Sequence, residues 1–285
     1  MKARVTPQEG TLKLNGLRIH YLDYGGPDER PLVLVHGLRD YARYWDDQAR
    51  RLTDAFHVYA YDQRGHGESD HAPGGYLVWA LAEDLRAFVD ALGLERFDLV
   101  GLSLGSRASM AFAREHSARI RRLVLVDMGP EMARAGAQGI QQSMTAPRPE
   151  RTGPPGYADE EEALAAFRRQ WPALDDETLR GHVRNALTPN EEGRLVRRYD
   201  RRLADITGRS AIVEIPFLWG SLERIACPTL VIRGEHSEIL SREIAERMLA
   251  ALPDGRLVEV PGTGHQLVME QPEAFARALR EFLLG

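Results

Sequence analysis

Five short, unbroken apolar runs limit what this chain can fold into: Leu32 to Val35, Val58 to Tyr61, Leu99 to Gly101, Leu123 to Val126 and Leu230 to Ile232, with a sixth, Leu257 to Val260, interrupted by Glu259, bounded by Gly, Asp or Pro. A run without polar alternation has no face to offer water, which suits a strand covered on both sides in a parallel sheet. Between the runs, apolar residues recur three or four apart, as in Leu77, Leu81, Leu85, Phe88 and Leu92, or Leu104, Ala108, Ala111 and Phe112. Strand then helix, repeated, implies crossovers that lay helices on both sheet faces. Near the start, alternating runs from Thr11 to Leu14 and Leu17 to Tyr21 flank Asn15-Gly16. That pair accepts the positive φ angles of a tight turn, so an antiparallel hairpin edge is expected. A final helix is expected over about Pro272 to Leu284, opened by Pro272 and Glu273 in its first turn.

The rhythm breaks between Pro130 and Leu222. No convincing buried strand is legible there, and charged segments with helical character, Asp159 to Gln170 and Asp175 to Leu187, dominate. Pro147, Pro149, Pro154 and Pro155, with Gly153 and Gly156, predict a mobile entry to this stretch. The expected organisation is a core of residues 1–130 and 223–285 interrupted by a helical insertion at 131–222.

Composition removes several classes of function. A net charge of -5 would repel a nucleic-acid backbone. The N-terminal MKARVTPQEG has no apolar stretch behind its basic residues, and no run approaches the roughly 18 apolar residues of a membrane span. A cytoplasmic protein without nucleic-acid or membrane partners is the expectation, with a homodimer left open. Cys227 is the only cysteine, which forbids an intrachain disulfide and any Cys-based metal motif. It is expected to be buried.

The chemistry concentrates at three loops. Gly101-Leu102-Ser103-Leu104-Gly105 closes an apolar run and opens a helical one, the context that gives G-x-S-x-G its meaning. Glycines on either side clear the backbone for a sharp strand-to-helix turn, and the new helix aims N–H groups at an anion beside Ser103. Val35-His36-Gly37-Leu38 ends an earlier strand, so the amides of Leu38 and Leu104 are candidate oxyanion donors. His36 itself is read as structural. His265, in Gly262-Thr263-Gly264-His265 after the final strand, is the candidate general base.

Together with Tyr61-Asp62-Gln63-Arg64-Gly65-His66-Gly67-Glu68-Ser69, which is similar to a D-x-R-G-x-G-x-S turn, these motifs resemble the α/β-hydrolase superfamily. The resemblance is to its serine esterase, lactonase and amidohydrolase members with a helical cap. It covers nearly all of the chain outside the insertion. It implies an α/β fold with a mostly parallel central sheet, helices on both faces and a helical cap, acting without cofactor or metal. Arg64 and His66 would then be structural or pocket-shaping. The common pattern puts the triad aspartate three residues beyond the glycine ending the seventh strand, but Ser237 stands there. Asp127, following the sixth strand, is favoured instead, as in a subset of relatives that includes a cofactor-independent amidohydrolase of pyridoxine breakdown. Glu238 is the main rival, and Glu235 a weaker one. His236 stays in view as a second histidine near these acids.

The expected activity is hydrolysis of a small carboxylic ester, lactone or amide through an acyl-enzyme on Ser103. A serine at the turn disfavours epoxide and haloalkane hydrolysis, which use an acid there. The same triad also serves C–C bond hydrolysis and acyl exchange with peroxide. A ligand-binding protein that keeps the pocket without turnover is a further class left open. In the insertion, Arg134, Arg148, Arg151, Arg168 and Arg169 are candidate carboxylate binders, although such arginines commonly only solvate a helix face. Trp171, Phe167 and Trp219 are candidate pocket walls, although packing between cap and core is the commoner use.

Overall fold

The computed structural model describes residues 6–138, 156–172, 174–203 and 209–285. Ten strands are present among them: β1 Gln8–Leu14, β2 Leu17–Asp23, β3 Pro31–Val35, β4 His57–Tyr61, β5 Phe97–Leu102, β6 Ile120–Val126, β7 Leu187–Pro189, β8 Leu195–Arg197, β9 Thr229–Gly234 and β10 Gly255–Val260. Eight form one sheet in the order β1-β2-β4-β3-β5-β6-β9-β10, and β7 pairs with β8 separately. The β1–β2 and β2–β4 pairings are antiparallel and the rest of the large sheet is parallel. Asn15 and Gly16 take φ angles of 51° and 80° at the hairpin turn.

The helices are α1 Asp46–Leu52, α2 Val78–Ala91, α3 Leu104–His116, α4 Glu160–Gln170, α5 Asp176–Ala186, α6 Arg209–Leu222, α7 Arg242–Ala251, α8 Leu267–Glu270 and α9 Pro272–Leu284. Alternate strand residues feed opposite cores. Val33, Val35, Leu99, Leu123 and Leu125 pack with Phe88, Met110 and Phe112 on one face. Leu32, Leu34, Val100, Val124 and Val126 pack with Trp45, Phe275 and Leu279 on the other. This two-sided burial is why the strands read as unbroken apolar runs. Cys227 is buried, and burial pushes its thiol up to about 11.

Among the described residues between β6 and β9, the longer elements are the helices α4, α5 and α6. The β7–β8 hairpin also lies there, and its three-residue strands are too short to show an alternating pattern. Asp159 and Asp175 cap α4 and α5 by accepting hydrogen bonds from Glu162 N and Thr178 N. Arg148 and Arg151, and the proline cluster from Pro147 to Pro155, lie outside the described residues.

The parallel register aligns the sheet's carboxyl edge, pairing Val35 with Gly101, Leu102 with Val126, Val126 with Ile232 and Gly234 with Val260. The loops that follow these strands therefore emerge side by side. At the antiparallel edge, buried Asp62 holds the turn after β4. It accepts from Ala42 N at 2.6 Å and Glu68 N at 3.0 Å, and meets His20 Nδ1 at 2.8 Å. Burial works against both charges in that pair. The mutual hydrogen bond, aided by Glu68 and Glu9 around His20 and by His36 around Asp62, outweighs it, so His20 is raised and Asp62 lowered.

The His20 contribution to stability is fully present below its unfolded pKa near 6.5 and is lost as pH rises through the raised value. The Asp62 contribution is present above its unfolded pKa and is lost as pH falls through the lowered one. Asp62→Asn should cost about 3 kcal/mol in urea unfolding at about pH 6. The gap to the parent should narrow as His20 deprotonates; a gap independent of pH would remove the ion pair from this account.

Candidate active site

Ser103 sits between β5 and α3 with φ 53° and ψ -114°, a conformation an L-residue adopts at a cost of about 1–3 kcal/mol. The turn is this tight because nothing projects from its flanks. A Cβ on Gly101 would lie 2.4 Å from Gly105 O, and one on Gly105 would lie 2.3 Å from Val35 O. Ser106 ties the turn down, its hydroxyl donating to Gly101 O at 2.6 Å and accepting from Val126 N at 2.9 Å.

The loop after β3 packs against Ser103, since a Cβ on Gly37 would stand 3.2 Å from Ser103 Cβ. His36 is fully buried, with burial lowering its pKa. Its Nε2 accepts from Gln63 N at 3.0 Å, which leaves Nδ1 to donate to Gly37 O at 2.8 Å. Both ring nitrogens are thus spent on holding backbone. Arg64 is likewise engaged in a forked pair with Asp84, and His66 is buried beside His36 with its pKa pushed down to about 3.

Asp127 follows β6 at φ 48° and is fully buried. Its Oδ1 accepts from Gly234 N at 3.0 Å, and its Oδ2 meets Ser237 Oγ at 2.5 Å and His265 Nδ1 at 2.7 Å. An acceptor opposite Nδ1 fixes the proton on that nitrogen and leaves Nε2 with its lone pair. Ser237, at the position where an aspartate was the common expectation, supplies a hydroxyl to Asp127 while accepting from Ile239 N and Leu240 N. Glu238 is exposed, and Glu235 accepts from Gly262 N at 2.8 Å, steadying the loop that carries His265. The imidazole of His236 is exposed.

Ser103, His265, Leu38 and Leu104 line one cavity of about 400 Å³. Trp171 and Arg169 also line it, with Met128, Met132 and Ile239 as apolar wall. Four expected pocket residues do not. Arg134 is exposed, Arg168 is bound to Leu174 O and Asp176, and Trp219 lies beneath the Arg247 guanidinium, 4.3 Å from its ring centre. Phe167 is buried within the insertion, under Arg197.

The structure adds residues that sequence reasoning missed: Arg39, Asp40, Arg107, Arg197 and Tyr199. Asp40 was legible in principle, because it lies two residues beyond the His36-Gly37-Leu38 loop. Burial pushes its pKa up to about 6 against the opposing pull of His265, Arg39 and Arg197. Arg107, on α3, is buried and paired with Glu214 of α6 at 3.0 Å, and Glu214 also accepts from Val78 N. Burial lowers Arg107 and raises Glu214.

No helix among the described residues is long and apolar enough to cross a membrane. A family model described as "alpha/beta hydrolase fold" matches residues 30–272. The chain is 32% identical over 285 residues to N-formylmaleamate deformylase of Pseudomonas putida, covering 96% of each. It is 30% identical over 272 residues to 3-hydroxybutyrate-oligomer hydrolase of Cupriavidus necator, covering 93% of this chain and 92% of the other. The crystal structure of E-2-(acetamidomethylene)succinate hydrolase superposes with a TM-score of 0.85 at 23% identity, covering 98% of this chain and all of that one, a likeness of fold. With its mostly parallel sheet and the serine turn at the carboxyl edge, the chain belongs to the alpha/beta hydrolase fold family and is a hydrolase.

Proposed function

We propose that the protein is a serine hydrolase that cleaves a small ester, lactone or amide through an acyl-enzyme on Ser103. The observation that carries this reading is the 2.7 Å contact between Asp127 and His265 Nδ1 beside a serine held on a strained turn in the same cavity. His265 Nε2 takes the Ser103 proton as Oγ bonds to the acyl carbon, and the carbonyl electron pair moves onto oxygen. The amides of Leu38 and Leu104 receive that charge, each such donor being worth about 3 kcal/mol in the transition state. Collapse expels the leaving alcohol or amine, which takes the proton from Nε2. Water repeats the sequence on the acyl-enzyme, releasing the acid and restoring the serine.

Asp127 orients the imidazole and stabilises its cation, and Ser237 and Gly234 N–H hold Asp127 in place. Residues 131–222 serve as the cap over a core of 1–130 and 223–285. That division is supported by Tyr157, Arg169, Trp171 and Arg197, which come from the intervening segment yet line the cavity with Ser103.

Ser103→Ala should lower kcat toward 4-nitrophenyl acetate by about 10⁴-fold or more with the fold intact by circular dichroism. Undiminished turnover refutes the nucleophile. Asp127→Asn should lower kcat by about 10⁴-fold while Glu238→Gln leaves it near the parent value; the reverse pattern moves the acid to Glu238.

Asp40 gives a separate check on the electrostatics of the site. Its folded-state pKa is raised, so the stability it confers is present below the unfolded value and is lost as pH rises through about 6. Asp40→Asn should therefore stabilise the fold at pH 8 by on the order of 1 kcal/mol relative to its effect at pH 5, read from urea midpoints. An effect equal at both pH values would show that Asp40 is not held away from its ordinary range.

A further inference from the structure

We infer that the substrate carries a carboxylate of its own, distant from the bond that is cleaved, and that Arg197 and Arg169 hold it. The inference rests on the acyl-transfer reading of the same cavity and adds the class of acyl compound.

Four arginines, Arg39, Arg107, Arg169 and Arg197, line the cavity, against the carboxyl groups of Asp40 and Glu162. Glu214 neutralises Arg107 from behind, and a positive excess still remains. This excess occurs in a chain whose net charge is -5, so it is local rather than a reflection of composition. Among the described residues, no carboxylate lies within ion-pair distance of Arg39, Arg169 or Arg197. That is unusual here, because neighbouring Arg168, Arg198 and Arg202 each have such a partner.

Arg197 is half-buried, and its guanidinium carbon sits 4.3 Å from the Phe167 ring centre. A guanidinium over an aromatic face keeps its N–H edges free, and those edges match the two oxygens of a planar carboxylate. Asp40 feels the Arg197 charge but forms no ion pair with it, so the partly buried guanidinium keeps hydrogen-bonding capacity for a ligand anion. The remaining wall, formed by Leu104, Met132 and Ile239, suits a short hydrocarbon linker between the carboxylate and the reacting acyl group.

The test is isothermal titration calorimetry on the intact protein with butyrate, succinate and glutarate, each against its amide, and with inorganic phosphate as a further anion. All are titrated into Ser103→Ala, which cannot form the acyl-enzyme, so the amides are not turned over and binding is read independently of Ser103 chemistry. At least one carboxylate should bind about tenfold or more tightly than its amide. Arg197→Gln and Arg169→Gln should each erase most of that preference while leaving amide binding unchanged, and Arg168→Gln should preserve it.

Equal binding of acids and amides, tighter binding of phosphate than of any carboxylate, or a loss in Arg168→Gln as large as in Arg197→Gln would overturn the inference. Those results would leave the serine mechanism standing. An inactive protein with carboxylate preference intact would overturn the mechanism instead.

Discussion

The carboxylate of Asp127 joins three strands at the sheet's carboxyl edge. It is reached by the backbone of Gly234 at the end of β9, by the Ser237 hydroxyl just beyond, and by His265 from the loop after β10. Its own backbone N–H donates to Ile232 O at 2.7 Å, and Ser103 N donates to Val126 O at 2.9 Å one residue before it. Serine turn, acid and histidine loop are therefore fixed relative to one another by hydrogen bonds among sheet ends. A rigid scaffold of this kind holds side chains to a fraction of an ångström, where loops alone would let them wander.

Both Ser103 and Asp127 adopt positive φ, and neither is glycine. Strain at two adjacent strand ends persists because the surrounding sheet over-determines it. Ser106 carries much of that load, bonding to the ends of both β5 and β6. Packing on both faces provides the background stability that such strain draws on.

Much of this was legible from sequence because the governing patterns are local. Apolar runs, interrupted only in β10 by Glu259, marked the six strands of the parallel part, and glycines flanking Ser103 marked the turn. The address of Asp127 was legible only as a matter of reach, since Glu238 and Ser237 lie near the same edge and sequence does not say which side chains are exposed. The cavity wall was harder. Arg168 and Arg169 are neighbours in the chain, yet the first is tied to Asp176 and the second opens on the cavity. Helical direction decides between them, and a one-residue step turns a side chain by about 100°. Arg197 sits on a strand of three residues, below the length at which periodicity can be read.

Arg107 and Glu214 join α3, the helix that follows Ser103, to α6, and both are enclosed. Pulling those helices apart would strand two charges with neither water nor partner, at a cost of several kcal/mol. Any movement that parts α6 from α3 therefore carries that penalty, which makes α6 the stationary jaw of the cavity.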